Sequence, residues 1–104
     1  MENISELNVF HNLEELTLKN NDKLTSLPSK IFKRNNKLRE LKIYGNKNLM
    51  KLHSNTLYGL VDLTSITLSG NPVHSLPSGF FTNAPALASI FWIGKSNFWF
   101  KRTY

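Results

Sequence analysis

The chain has 104 residues, enough for one small domain, and its content of 40% hydrophobic and 19% charged residues is typical of a globular protein. It contains no cysteine, which excludes disulfide bonds and thiolate metal sites, and it has no apolar run long enough for a membrane-spanning helix. The formal net charge is +6, so electrostatics favours phosphate, sulfate or acidic proteins as ligands.

The chain repeats itself with a step of 25, 25 and then 24 residues. Three apolar columns keep this step: Leu13, Leu38, Leu63 and Leu87; Leu16, Leu41, Ile66 and Ile90; Leu18, Ile43, Leu68 and Trp92. Asparagines form a fourth column at Asn21, Asn46 and Asn71. Residues 1–104 are therefore predicted to form a single repeat domain. A partial first unit or lid (1–12) precedes full repeats at 13–37, 38–62 and 63–86, and a partial repeat with an aromatic tail (87–104) follows.

Each unit begins with an alternation of apolar and polar residues that predicts a short strand. The strands are predicted at Glu15–Lys19, Glu40–Tyr44, Ser65–Ser69 and Ser89–Ile93. Stacked units place these strands side by side in a parallel sheet, with the leucines in a shared core and their neighbours facing outward. The asparagines follow the strands, where their amides can satisfy backbone groups of the turn and form a ladder.

The runs that start at Leu13, Leu38 and Leu63 share the pattern Leu-x-x-(Leu/Ile)-x-(Leu/Ile)-x-x-Asn, which resembles the leucine-rich repeat consensus. The later Leu-Pro-x-x-x-Phe segments at Leu27 and Leu76 resemble the typical 24-residue class of Toll-like receptors, Slit proteins and small matrix proteoglycans. The resemblance implies an α/β fold, a leucine-rich repeat solenoid with a short parallel sheet on the concave face and irregular or short helical convex segments. Parallel strands joined by crossovers predict a right-handed solenoid. The resemblance also implies a receptor-like, extracellular or cell-surface protein, with a cytoplasmic location as the alternative.

The return segments and the two ends complete the predicted core. Phe32, Leu57 and Phe81 are predicted to close the core from the convex side, and Ile4, Leu7 and Phe10 to form a rudimentary lid. The C-terminal aromatic cluster is predicted to cover the last open edge, with self-association through that edge as the alternative. Its members are Phe91, Trp92, Ile93, Phe98, Trp99 and Phe100.

Outward residues of the strands are the candidate ligand-binding positions, because they line the concave face of such a solenoid. From the first repeat to the last, the outward residues change from charged, through small hydroxyl residues, to apolar. We predict binding by Glu15, Lys19, Arg39, Glu40, Lys42, Tyr44, Phe91 and Ile93. Tyrosine, arginine and phenylalanine are residue types that often dominate binding energy. The alternative is that these are ordinary exposed sheet positions.

Residues 19–51 carry ten of the thirteen basic side chains and only Asp22 and Glu40 as acids. Within this stretch, Lys30, Lys33, Arg34 and Lys37 form a basic patch on the return segment. A solubilising face is the simpler interpretation. Binding of an acidic glycan or a membrane surface is the functional alternative. Nucleic acid is disfavoured, because few aromatic residues lie among these cations for base stacking.

No arrangement of residues predicts catalysis, a metal site or a cofactor. Glu15 and Glu40 lie on adjacent strands, but Arg39 and Lys42 beside them indicate a surface charge network rather than an acid–base pair. His11, His53 and His74 lack metal-ligand spacing. The predicted function is therefore a non-enzymatic module that binds a protein ligand through its concave face. A truncated structural fragment of a larger repeat receptor is a further alternative.

Overall fold

A computed structural model describes residue 7 and residues 9–73, 76–93 and 99–103. Of residues 92, 93 and 99–103 it describes the backbone. Seven strands occur in these ranges: β1 (Glu15–Lys19), β2 (Ser26–Leu27), β3 (Glu40–Tyr44), β4 (Lys51–Leu52), β5 (Ser65–Thr67), β6 (Ser89–Ile93) and β7 (Trp99–Thr103).

The main sheet has the order β1-β3-β5-β6-β7, and its first four strands are parallel. The register follows the sequence repeat, since Leu16 pairs with Leu41, Leu41 with Ile66, and Ile66 with Ile90. The predicted leucine-rich repeat solenoid is confirmed. The predicted bounds of β1, β3 and β6 are also confirmed, whereas β5 is two residues shorter than predicted, because its pairing with β6 stops at Thr67 and Phe91.

The core lies behind the sheet and is continuous from unit to unit. Leu41, Ile66 and Ile90 are completely buried, as are Leu38 and Leu63. The equivalent residues of the first full repeat, Leu13 and Leu16, remain half-buried, because they lie at one end of the stack. A core built by stacking therefore leaves apolar surface at its end.

The convex segments are turns, so the irregular form is the one observed. Between β2 and β3, Lys33, Asn35 and Leu38 donate their backbone N–H groups to the carbonyls three residues earlier, at 3.2, 2.9 and 3.1 Å. The described residues contain no α-helix. The sequence did not predict a second, two-stranded sheet, in which β2 and β4 pair in parallel through Leu27 and Leu52.

The asparagine column connects successive turns through side-chain hydrogen bonds. The Nδ2 of Asn46 donates to Asn71 Oδ1 at 3.0 Å, and the Nδ2 of Asn21 donates to Asn46 Oδ1 at 3.2 Å. Backbone N–H groups of Asn21 and Asn46 donate to the same two oxygens at 3.0 and 3.1 Å. Asn46 and Asn71 are buried, so these bonds satisfy polar groups that water cannot reach.

The residue before each asparagine adopts a left-handed conformation. Asn20, Gly45 and Gly70 have φ values of +55°, +68° and +75°. Glycine and asparagine are the residues that adopt this conformation most readily. The turn that ends each strand and starts the ladder is therefore encoded by the residue type at this one column.

The third full repeat departs from the predicted closure of the core. Phe80 is buried, with 2% exposure, whereas Phe81, the predicted residue, is only half-buried. The two rings pack edge to face, with centroids 5.1 Å apart. Val73 follows Asn71 by two residues, whereas Leu24 and Leu49 follow the asparagines of their repeats by three. This shortened turn accompanies the replacement of Phe81 by Phe80 as the buried residue.

The N-terminal lid is formed in part. Leu7 is buried with 1% exposure, but Phe10 is 45% exposed, so Phe10 does not act as the predicted cover. Ile4 lies outside the described residues. The segment is held by Asn35, whose Nδ2 donates to the carbonyls of Leu7 at 3.0 Å and Phe10 at 2.8 Å. The sequence did not predict this role, because Asn35 replaces the apolar residue of its column.

We expect Asn35→Ala to destabilise the fold by about 1–2 kcal/mol, because two carbonyls lose their donor. The buried Oδ1 of Asn35 has no hydrogen-bond partner in the described part of the chain. Alanine removes this unpaired oxygen as well, and that gain partly offsets the loss of the two hydrogen bonds. Urea unfolding measures the change, and Asn36→Ala, at an exposed neighbour, serves as the control. Equal stability of the two variants would contradict a tethering role for Asn35.

Strand β7 pairs antiparallel with β6, from Ser89 opposite Thr103 to Ile93 opposite Trp99. The backbone edge of the fourth repeat is therefore hydrogen-bonded to the tail of the chain, as expected if the tail covers the end of the sheet. Phe98, another member of the predicted aromatic cluster, lies outside the described residues. An antiparallel strand after a parallel array was not predicted from the sequence.

Candidate binding surface

The outward residues of the strands form columns that cross the concave face. Their order follows the register: Glu15, Glu40, Ser65 and Ser89; Thr17, Lys42, Thr67 and Phe91; Lys19 and Tyr44. Within each column, neighbouring residues lie on adjacent strands, which are about 4.8 Å apart. The structure therefore brings six of the eight predicted positions into one surface: Glu15, Lys19, Glu40, Lys42, Tyr44 and Phe91.

The remaining two predicted positions lie at the margins. Arg39 is exposed and immediately precedes β3, where its backbone N–H donates to the carbonyl of Glu14 at 2.7 Å. Ile93 ends β6 and pairs with Trp99 of β7. These two residues border the columns at opposite ends of the strands.

The charged part of the face lies on β1 and β3. Glu15 pairs with Glu40, and Thr17 with Lys42. Glu15 and Lys42 are exposed, and Glu40 is half-buried. In the described part of the chain, neither carboxylate has an ion pair within 4.0 Å, and the one ion pair present is an exposed contact between Lys47 and Asp22 at 3.5 Å. The network expected with Arg39 and Lys42 is thus not formed by direct ion pairs.

Tyr44 is the aromatic residue of this charged part. It is half-buried at the end of β3, beside Lys19. Its carbonyl accepts hydrogen bonds from Asn46 Nδ2 at 3.2 Å and from the N–H of Asn20 at 3.4 Å. The asparagine ladder thereby holds the backbone that presents Tyr44, and a preorganised side chain loses little entropy on binding.

The basic patch lies away from the sheet, in the return segment between β2 and β3. Lys30, Lys33, Arg34 and Lys37 are all exposed. Lys37 Nζ donates to Asn12 Oδ1 at 3.3 Å, and Lys30 Nζ lies 4.9 Å from the centroid of the Tyr58 ring. Tyr58 is 47% exposed, and the sequence reasoning missed this cation–π pair, although Tyr58 follows Lys33 by one 25-residue step.

The acidic and imidazole side chains considered in the sequence analysis lie at or near the surface where the structure describes them. Glu15 and Glu40 stand opposite each other on the open face of the sheet, with Glu15 exposed and Glu40 half-buried. His53 is exposed, and its backbone N–H donates to Thr56 Oγ1 at 3.0 Å; His11 is exposed, and His74 lies outside the described residues. The described ranges contain no group of three potential metal ligands and no helix of the length and apolarity that a bilayer requires.

A family model described as leucine-rich repeat matches residues 11–73, which is more than half of the chain. The match, together with the parallel solenoid and the asparagine column, shows that the chain belongs to the leucine-rich repeat family. Domains of this family are generally non-enzymatic and commonly mediate protein–protein binding. A search of the curated proteins found no match to the chain.

Proposed function

We propose that this chain is a non-enzymatic module that binds a protein ligand through its concave face, with Tyr44 and Lys42 at the centre of the site. The observation that carries the proposal is their placement on adjoining outward positions of β3, one half-buried and aromatic, the other exposed and charged. Tyrosine is enriched among residues that dominate binding energy, and a partly buried ring exposes apolar area on a rigid support.

The neighbouring columns support the same site. Lys19 pairs with Tyr44 on one side, and Thr67 pairs with Lys42 on the other, so one cationic and one hydroxyl donor flank the two central residues. Donors of this kind suit an acidic or carbonyl-rich ligand segment.

Following the family resemblance, we propose an extracellular or cell-surface setting and a protein ligand from that compartment.

The double variant Lys42→Ala/Tyr44→Ala tests the proposed site. Against an array of purified secreted proteins and ectodomains, we expect any wild-type binding to weaken by about 100-fold, because two central contacts are lost. Biolayer interferometry at physiological salt measures the change. The matched control is Lys30→Ala/Tyr58→Ala, which removes the same residue types from the convex side and is expected to leave binding unchanged.

A second candidate function is electrostatic binding of an acidic glycan through the basic patch. The supporting observation is the exposure of Lys30, Lys33, Arg34 and Lys37 within one return segment. Heparin is the probe, and the retained fraction is measured as salt increases, since purely electrostatic binding weakens steeply with salt. If ligand binding survives the concave-face variant, but is lost at high salt and weakens in Lys30→Ala/Tyr58→Ala, the basic patch is the site and the concave-face proposal is wrong.

A further inference from the structure

We propose that the outer edge of β1 is a homodimer interface, at which the β1 strands of two copies pair antiparallel about Thr17. This pairing would join the two five-stranded sheets into one continuous sheet. The interface shares Glu15 and Lys19 with the concave face proposed above, but it is argued from different observations. It rests on the backbone geometry of β1, on the order of its charges and on the apolar surface beside it.

Strand β1 is the end strand of the main sheet, and in the described part of the chain it pairs only with β3. The Glu14 carbonyl accepts from the N–H groups of Arg39 at 2.7 Å and Glu40 at 3.1 Å. Residues that face the same neighbour alternate along a strand, so Leu16 and Leu18 also direct their backbone groups towards β3. The N–H and C=O groups of the residues between them, Glu15, Thr17 and Lys19, consequently face the outer edge.

The three residues that face outward have a self-complementary order of charge: acidic, neutral, basic. In an antiparallel pair centred on Thr17, Glu15 of each copy stands opposite Lys19 of the other, and the two Thr17 residues stand opposite each other. Each of these pairs can exchange two backbone hydrogen bonds, because both groups of each residue already face the edge. A twofold axis produces both Glu15–Lys19 contacts at once.

The same pairing compensates an unfavourable contact within each copy. Glu15 stands directly opposite Glu40 on β3, and like charges in opposite positions destabilise a sheet. A Lys19 side chain from the second copy would approach Glu15 from its open side. The dimer therefore gives Glu15 an opposite charge that the described residues of its own chain do not provide within 4.0 Å.

Apolar surface beside β1 gives the interface a hydrophobic part. A cleft of about 310 Å³ opens at this end of the solenoid. Its apolar lining exposes Phe10 and part of Leu13 and Leu16, and the buried Leu7 and Leu18 form its floor. Pairing about Thr17 places Leu16 of one copy opposite Leu18 of the other, on the core side of the joined sheet. The apolar surfaces beside the two β1 strands would then cover each other, which is how stacked repeats bury their apolar faces.

Sedimentation equilibrium of the full chain tests the proposal. We expect the wild type to approach twice its monomer mass of 11.9 kDa as concentration rises. Glu15→Lys should weaken dimerisation by at least about tenfold, because both attractive pairs become repulsive. The double variant Glu15→Lys/Lys19→Glu restores opposite charges and should restore the dimer.

Glu14→Lys is the matched control, since it makes the same charge change next to Glu15, at a residue whose backbone faces β3. It should leave the dimer unchanged. Weaker dimerisation of Glu15→Lys would not be caused by unfolding. The substitution places an opposite charge beside Glu40 and should not reduce the free energy of unfolding. Circular dichroism and urea unfolding verify this for each variant.

Hydrogen exchange provides a second readout at the backbone. The amides of Glu15, Thr17 and Lys19 should become protected as concentration rises, whereas those of Leu16 and Leu18 should be protected at every concentration. A monomer at all concentrations would overturn the proposal, as would a dimer insensitive to Glu15→Lys. Assembly into ever larger oligomers would indicate that β1 of one copy pairs with β7 of the next. Protection of the outer amides already in the monomer would indicate that another segment of the same chain covers β1. Either result also overturns the proposal.

Discussion

Replacing Asn46 by alanine is expected to reduce the free energy of unfolding by about 3–5 kcal/mol, which is a large fraction of the stability of a small domain. Asn46 is completely buried, and its Nδ2 donates to the carbonyls of Leu18 at 3.0 Å and Tyr44 at 3.2 Å, and to Asn71 Oδ1 at 3.0 Å. Its Oδ1 accepts two further bonds from Asn21. The large effect follows because alanine leaves these groups without that partner, in a part of the core closed to water.

Urea unfolding followed by circular dichroism measures this change. The matched control is Asn48→Ala, because Asn48 is exposed and makes one side-chain hydrogen bond, from its Nδ2 to the carbonyl of Asp22 at 2.7 Å. We expect the control to cost less than about 1 kcal/mol. Comparable costs for the two variants would show that the ladder contributes little and that packing alone holds the turns together.

Replacing Gly59 by alanine is expected to cost about 3 kcal/mol, through two effects that act together. Gly59 has a φ of +93°, a conformation that an L side chain rarely adopts. An added Cβ would also lie 2.8 Å from the Cα of Lys33 and 2.9 Å from its carbonyl oxygen. These are backbone atoms of the preceding repeat, so the clash can be relieved only if the stacked turns move apart.

Gly79→Ala separates the two effects. Gly79 has a positive φ of +75°, but an added Cβ would approach only Thr82 Oγ1, at 3.1 Å. This hydroxyl donates to the Gly79 carbonyl and needs to shift by only a few tenths of an ångström. We expect this variant to cost about 1 kcal/mol. Thermal and urea unfolding of both variants give the comparison. A Gly59 variant no less stable than the Gly79 variant would show that the close approach of successive turns is not tight.

Most of the candidate surface could be predicted from the sequence, because alternation along a strand assigns each residue to one face. Lys42 and Tyr44 follow from that rule once the apolar partners Leu41 and Ile43 are assigned to the core. The rule does not predict what fraction of each side chain is buried. The half-burial of Tyr44 is set by the tertiary structure, and the cation–π pair of Lys30 and Tyr58 depends on how two return segments stack.

The sequence by itself determined the repeated part of the fold. Apolar columns with a constant step force successive strands into one register, and an asparagine after each strand provides the hydrogen bonds between turns. The bounds of β1, β3 and β6 could be predicted for this reason. Local residue types and their spacing contain all the information that such stacking needs.

The tertiary structure decided the features that do not repeat. Strand β7 has no repeat partner in the sequence, and its antiparallel pairing exists because β6 presents an edge to it. Asn35 holds the N-terminal segment from an otherwise apolar column, and Phe80 replaces Phe81 where one unit is a residue shorter. Each of these features depends on contacts between segments distant in sequence, because each lies where the regular stack ends or changes its step.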